Sequence, residues 1–215
     1  MAVIEQIRCG CVNSYLIENQ GRAILVDTGR MGAEKKILDM CQKTKVELIL
    51  LTHGHFDHVQ NTAYLADVLK VPVAMHQADI PLLKDNRKVP IYHHGLLAML
   101  VAEVAEKNSE KNRIPEFVPD IYLHDGDPLH EYGIDAKVME LPGHTSGSIG
   151  LDIEEQHFIA GDAVMNLFYP GLSMIYQDRE LMVESAQKIS ALGKRKIYFG
   201  HGNPVENREW SRTGI

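Results

Sequence analysis

The run Thr52-His53-Gly54-His55-Phe56-Asp57-His58 places three imidazoles and one carboxylate close together, directly after the apolar stretch 46–51. Imidazole nitrogens and carboxylate oxygens are the ligands that hold zinc and related divalent ions. His53 and His55 are two residues apart, so on an extended segment their side chains fall on one face. Asp57 and His58 are adjacent, where a following helix would begin. Four ligands from one short loop do not converge easily on a single tetrahedral ion. They suit two neighbouring ions, His53 and His55 on one and Asp57 and His58 on the other. The alternative, a histidine-rich solvent loop, leaves the matching residues downstream without a role.

Those residues recur in one local setting. Gly143-His144-Thr145 follows the strand-like 136–141, Gly161-Asp162 follows 157–160, and Gly200-His201-Gly202 follows 196–199. In each case a glycine lets the chain turn tightly at a strand end and brings a polar side chain to the rim. Singly, each reads equally as a cap or turn residue; together they complete two sets of nitrogen and oxygen donors.

With these residues the chain resembles the metallo-β-lactamase superfamily, and within it the glyoxalase II-like and lactonase-like metallo-hydrolases. The shared motif is His-x-His-x-Asp-His, then a distant His, an Asp and a last His, and the resemblance runs from the N-terminal strands to Gly202. It implies that His53, His55 and His144 hold a first metal, that Asp57, His58 and His201 hold a second, and that Asp162 bridges both. It implies two divalent metal ions, zinc first, with iron or manganese as alternatives. Similar proteins use a tyrosine near the metals to polarise a substrate carbonyl. Tyr169 and Tyr176, in the aromatic segment 165–176, and His94 are the candidate substrate-binding residues, although aromatic loop residues are also common packing residues.

Two divalent ions about 3.5–4 Å apart stabilise hydroxide, so a bridging water loses its proton near neutral pH. That hydroxide attacks an electrophilic carbonyl carbon, and a metal stabilises the developing oxyanion. Asp57 is the candidate catalytic residue, able to orient the nucleophile and pass its proton to the leaving group. Asp27 and Thr52 are candidates to hydrogen-bond ligand imidazoles and set their tautomers; for Asp27 a plain turn role is an equal alternative. His76, His93, His94, His124, His130 and His157 lie outside the motif and read as surface or packing residues, His93 and His94 less firmly because they sit in an insertion.

The bridging Asp162 with His201 argues against a true β-lactamase, and His55 with the Asp57-His58 pair argues against a flavodiiron-type domain. Glyoxalase II enzymes carry an extra C-terminal helical domain, whereas this chain ends soon after His201. Hydrolysis of a thioester, lactone or other carboxylic ester is the expected class. An iron-dependent sulfur dioxygenase on the same fold, using His53-, His144- and Asp162-type ligands, is the main alternative. A phosphodiesterase and a non-catalytic binding protein are further ones.

Composition agrees with a compact catalytic domain spanning 1–215. The 215 residues are 45% hydrophobic and 24% charged, ordinary for a globular protein, and enough for one well-buried core. A net charge of −7 gives no footprint for nucleic acid or an anionic membrane. No stretch is apolar enough to span a bilayer, and residues 1–8 lack a signal-peptide pattern. Cys9, Cys11 and Cys41 are an odd, sparse set; Cys9 and Cys11 read as same-face strand thiols in a reducing compartment. The expected setting is cytoplasmic, with a small-molecule substrate as partner.

The elements that must position these residues fall into two similar halves. Alternating segments at 3–7, 12–17 and 23–26 read as strands, with a hairpin turn at Asn19-Gln20-Gly21. A helix is predicted over 32–42, a buried strand over 46–51, a helix over 57–69 with Val59, Ala63 and Ala66 inward, and a strand over 71–75. The second half repeats strands at 121–123, 134–141, 148–153, 156–160 and 196–199. Its helix, 179–192, has Leu181, Ser185, Ile189 and Leu192 on one face. This order predicts an α/β (α+β) chain, a four-layer αββα sandwich that is metallo-β-lactamase-like, with ligands arriving at one rim from both halves. Between the halves, 81–119 is too long for an ordinary connection. Its apolar stripe Leu96, Leu97, Leu100, Val101 and Val104 serves equally as a lid over the rim, or as a helix docked on the domain surface or a homodimer contact.

Overall fold

The computed structural model describes residues 1–85, 92–93, 99–100, 102–104, 107 and 113–210. The chain opens with strands β1 (Val3–Cys9), β2 (Val12–Asn19) and β3 (Arg22–Val26), followed by helix α1 (Glu34–Cys41) and β4 (Lys45–Leu50). Then come α2 (Phe56–Val59), α3 (Thr62–Leu69), β5 (Val73–Met75), a 3₁₀ turn (Gln77–Asp79) and α4 (Ile80–Lys84). Short strands β6 (Tyr92–His93) and β7 (Ile121–Tyr122) lead to the second half. That half comprises β8 (Ala136–Glu140), β9 (Ile149–Ile153), β10 (His157–Ile159), β11 (Val164–Met165), β12 (Gly171–Leu172) and β13 (Ile175–Tyr176), then α5 (Arg179–Ala191), β14 (Lys196–Tyr198) and β15 (Val205–Glu206).

Two sheets result, ordered β1-β2-β3-β4-β5-β7 and β15-β14-β10-β9-β8. The β2–β3 hairpin closes on Gln20 and Gly21, both at positive φ (52° and 82°), as a tight two-residue turn demands. From β3 onward the first sheet runs parallel, β3 to β4 to β5 to β7. In the second sheet β10 pairs antiparallel with β9 and parallel with β14.

Both faces of each sheet are covered, which explains the continuous apolar runs. Ile24, Val26, Leu48 and Leu50 point into a core shared with Val138, Ile149, Leu151 and Ile159 of the second sheet. Their neighbours Leu25, Ile49 and Leu51 point the other way, onto Ile37, Cys41 and Leu65 of the helices. On the far side, Phe158 and Ile197 pack against Ala186, Ile189 and Trp210. Each such aliphatic side chain contributes about 1.5–3 kcal/mol on burial. The architecture is therefore the four-layer αββα sandwich, and the parallel strand ends β4, β10 and β14 open onto one rim.

Three expectations change in detail. The helix predicted over 57–69 is broken between α2 and α3. There the Asn61 amide donates to the Thr28 and Arg30 carbonyls (2.8 and 2.7 Å) and Gln60 accepts from the Met31 N–H (2.9 Å). These side chains tie the junction to the β3–α1 loop, and Val59, Thr62 and Leu65 become the buried face, with Ala63 and Ala66 only partly covered. In α5 the buried set is Met182, Ser185, Ala186 and Ile189: Ser185 and Ile189 are as expected, Leu192 is half-buried, and Leu181, whose N–H the Asp178 cap receives, is exposed. Cys9 is buried at the end of β1, but Cys11 lies in the following turn and is exposed, so the two thiols do not share a strand face. His94, Leu96, Leu97 and Val101, on which the lid and dimer readings of 81–119 rest, lie outside the described residues. Among those described, no helix is long and apolar enough to cross a membrane.

Candidate metal centre

The four chain segments singled out by their histidines and aspartates meet at the rim. His53 and His55 follow β4, and Asp57 and His58 start α2. His144 follows β8, Asp162 follows β10, and His201 follows β14. The structure brings all seven together. His53, His55 and His144 have ligand atoms within 4.8 Å of one another; so do His53, His58 and Asp162, and so do Asp57, His58 and His201. Three of these side chains are fully enclosed: His53, His58 and His144 are at most 1% exposed.

Hydrogen bonds fix which nitrogen of each ring faces inward. His58 Nδ1 lies 2.8 Å from Asp27 Oδ2, and His201 Nδ1 lies 2.9 Å from the Cys11 carbonyl. His144 Nδ1 lies 2.8 Å from the Ile175 carbonyl, with Ser173 Oγ beside it at 3.0 Å. A carboxylate and a carbonyl can only accept, so these three rings carry a proton on Nδ1 and turn Nε2 toward the centre. His53 follows by one more step. The Thr52 hydroxyl donates to Asp27 Oδ2 (2.8 Å) and so accepts from His53 Nδ1 at 3.1 Å. All four rings are thus set in the tautomer a metal requires at Nε2.

Three inward atoms, His53 Nε2, His58 Nε2 and Asp162 Oδ1, are buried and make no hydrogen bond. Leaving buried polar atoms unpaired costs about 1–3 kcal/mol each, and here they converge on one place. His55 Nδ1 and His144 Nε2 face each other at 2.9 Å. Asp162 Oδ2 lies 3.3 Å from His201 Nε2 and 3.7 Å from His144 Nε2, and Asp57 Oδ2 lies 3.5 Å from His201 Nε2. This donor set fits a pair of borderline divalent cations.

Electrostatics tell the same story. Burial pushes the His53 and His55 imidazoles well below the ordinary range. Burial also disfavours a charged His58, but Asp162 and Asp27 outweigh it and hold His58 up at about 10. His201 is raised likewise, against its burial, by Asp162. Burial would lift Asp162, yet His201 and His58 keep it well below the usual carboxylate range. Without cations, protons on His58 and His201 balance the buried Asp162; cations can take their place.

Backbone detail makes room for this. Gly200 runs so close to Asp162 Oδ1 and His58 Cε1 that any side chain there would strike them. Asp27 sits at φ 57°, an uncommon conformation for a non-glycine residue. It is both turn residue and hydrogen-bond acceptor, for the Thr52 N–H, the Thr52 hydroxyl and His58. The aromatic candidates are less tightly placed. Tyr169 is exposed; Tyr176 is buried in β13, between Ile175, whose carbonyl holds His144, and Gln177, whose N–H donates to Gly143. The carbonyls of Cys11 and Ile175, Ser173 and the buried Asp79 carried no sequence signal, because their roles arise only from tertiary contact.

Comparison with known proteins adds the lineage. The family model described as metallo-beta-lactamase superfamily matches residues 7–201. An uncharacterised protein of Mycobacterium tuberculosis is 35% identical over 147 residues, covering 66% of this chain. The chain spans only 59% of that relative's length. A hydroxyacylglutathione hydrolase of Pelagibacter ubique is 29% identical over 213 residues, covering 96% of this chain and 74% of its own. Among solved structures, TTHA1623 in a di-iron-bound form aligns with a TM-score of 0.71 at 27% identity, covering 94% of this chain and 93% of its own. The BLEG-1 B3 metallo-beta-lactamase aligns with a TM-score of 0.78 at 23% identity, over 99% and 100% of the two chains, and is alike in fold.

Proposed function

The chain belongs to the metallo-beta-lactamase superfamily, and from that premise we propose that it is a dinuclear metal-dependent hydrolase of a carboxylic ester-like bond, a thioester foremost. The observation that carries the reading is the set of converging, buried atoms on His53, His58 and Asp162 that make no hydrogen bond. His53, His55 and His144 would hold one cation, Asp57, His58 and His201 the other, and Asp162 both. Bound there, two divalent cations supply Lewis acidity that lowers the pKa of water and polarises a carbonyl oxygen.

The chain's own groups do the rest. Asp27, Thr52, Cys11 and Ile175 hold the imidazoles in the required tautomers. The Asp57 side chain is partly exposed at the rim; it would take a proton from the attacking water and deliver it to the departing sulfur. Water adds to the carbonyl carbon, the C–S bond breaks, and thiol and carboxylate leave. The thioester preference draws on the likeness to the hydroxyacylglutathione hydrolase.

The test pairs metal quantification with a substrate panel: a glutathione thioester, an acyl-homoserine lactone, a cephalosporin and a phosphodiester. Two zinc, manganese or iron ions per chain with thioester turnover that chelation abolishes is the expected result. Turnover indifferent to thorough chelation would end the metal reading. A single iron with oxidation of a glutathione persulfide would replace it with the dioxygenase.

A further inference from the structure

Asp79 is a buried carboxylate outside the donor set, in the 3₁₀ turn after β5, and is 1% exposed. Its Oδ2 accepts from the Gly54 N–H at 2.8 Å and from the Thr145 hydroxyl at 2.7 Å; its Oδ1 accepts from the Gly147 N–H at 2.7 Å. Gly54 lies between His53 and His55, and Thr145 follows His144. One side chain therefore ties together the two loops that carry the three-imidazole set. The nearby backbone link, from the Ile149 N–H to the Thr52 carbonyl at 2.8 Å, lies outside both loops.

The packing is built around this side chain. A Cβ on Gly147 would come within 2.8 Å of Asp79 Cγ and Oδ1, and one on Gly54 within 3.0 Å of the Asp79 carbonyl oxygen. Both loops press their backbones onto the turn. The Thr145 and Ser148 hydroxyls lie 2.7 Å apart, which further orients the donor. Burying a carboxylate is costly unless its hydrogen bonds are met, and three donors meet them here.

We propose that Asp79 is the positioning residue of the three-imidazole site, setting the distance between the His53–His55 loop and His144 through these three bonds. The inference rests on the dinuclear reading above. The bonds land on Gly54, Thr145 and Gly147, beside His53, His55 and His144, whereas Asp57 and His58 lie beyond His55 in α2 and His201 follows β14, so the larger effect falls on the three-imidazole site. An amide at this position keeps the shape but turns one acceptor into a donor facing a donor, which pushes one loop away.

The test is titration of the chelated full chain with Co(II), followed by its visible spectrum, in wild type and Asp79→Asn. Wild type takes up two ions. In Asp79→Asn one ion binds as in wild type, and the other about 10–100-fold more weakly, with an altered band for that site alone. Thr145→Ala removes one donor, shows a smaller loss at the same site, and carries the test if Asp79→Asn does not fold. Asp152→Asn, which breaks the distant Arg195–Asp152 pair, is the control for general destabilisation and leaves both affinities unchanged. Folded variants that bind both ions as wild type does, or lose both equally, overturn the positioning role. Wild type that takes up no cobalt overturns the dinuclear reading instead.

Discussion

Two clusters of imidazole and carboxylate lie among the described residues, and they differ in a way composition does not show. The first is the seven-residue centre. The second is His76, His124 and Glu140, whose ligand atoms also lie within 4.8 Å of one another. In the first, backbone carbonyls, Asp27 and Thr52 take the Nδ1 protons and turn the Nε2 atoms toward one another. In the second, His76 Nδ1 accepts from the Ala78 N–H at 3.2 Å, so its proton is on Nε2, facing Glu140 Oε1 at 3.2 Å. Oε1 also receives the Asp125 N–H at 3.2 Å. None of its side-chain atoms is among the buried unpartnered ones. The first cluster is incomplete as protein alone; the second is a closed staple of polar contacts between the two sheets, backed by backbone hydrogen bonds to His76 and Glu140. Tautomer and satisfaction, more than residue type, separate a metal site from its look-alike.

The largest expected break of this contrast is Asp57→Ala. Loss of its carboxylate should lower turnover by about 10²–10⁴-fold while circular dichroism and the melting profile stay native. Near-normal turnover would remove Asp57 from the chemistry. Asp27→Asn should come next. It touches no ion, but it denies His58 and Thr52 their acceptor, and so reaches His53 as well. Metal affinity should fall about 10–100-fold, read as ions retained after dialysis against a weak chelator. Unchanged retention would mean that the tautomers are set by something else.

The sequence shows these residues unequally. His53 to His58 declare themselves because four donors crowd one turn, and no packing requirement produces that pattern. His144, Asp162 and His201 are single residues after strands, meaningful only once the motif supplies the other half of the site. Asp27 is ambiguous in sequence because Asp-Thr-Gly is also turn chemistry, and in the fold it is both. Asp79 is silent, since its three donors come from residues 54, 145 and 147. The apolar periodicity gave the layers correctly, because a buried strand must be apolar on both faces. It placed Ser185 and Ile189 of α5 inward correctly, but also Leu181, which lies in the first turn beside the Asp178 cap and is exposed.

A smaller effect sharpens the comparison through pH. In the ion-free chain His58 and His201 are held above the ordinary imidazole range. The folded state therefore keeps protons that the unfolded chain gives up above about 6.5. The stability they contribute is full below that pH and is lost as pH rises through about 10 for His58. The chelated protein should melt at progressively lower temperature between pH 7 and 10. The metal-loaded protein should not follow it, because cations replace the protons, and loading at pH 8 should release about two protons per chain. Calorimetry in buffers of different ionisation enthalpy reads that number; no release would mean that Asp162 is balanced some other way.

The smallest expected effect is on the staple. Glu140→Gln keeps an oxygen for His76 Nε2 and the Asp125 N–H, and removes only a charge that is part-exposed beside a half-exposed His124. Such a change is worth about 0–1 kcal/mol. Metal content should stay at two ions per chain, and the melting temperature should barely move. The same substitution in a three-ligand metal site would remove an anionic donor and empty it. A third ion that disappears in Glu140→Gln would therefore show that His76 can abandon its bond to Ala78 and reverse its tautomer. The two clusters would then differ in the strength of one backbone hydrogen bond, and no longer in kind.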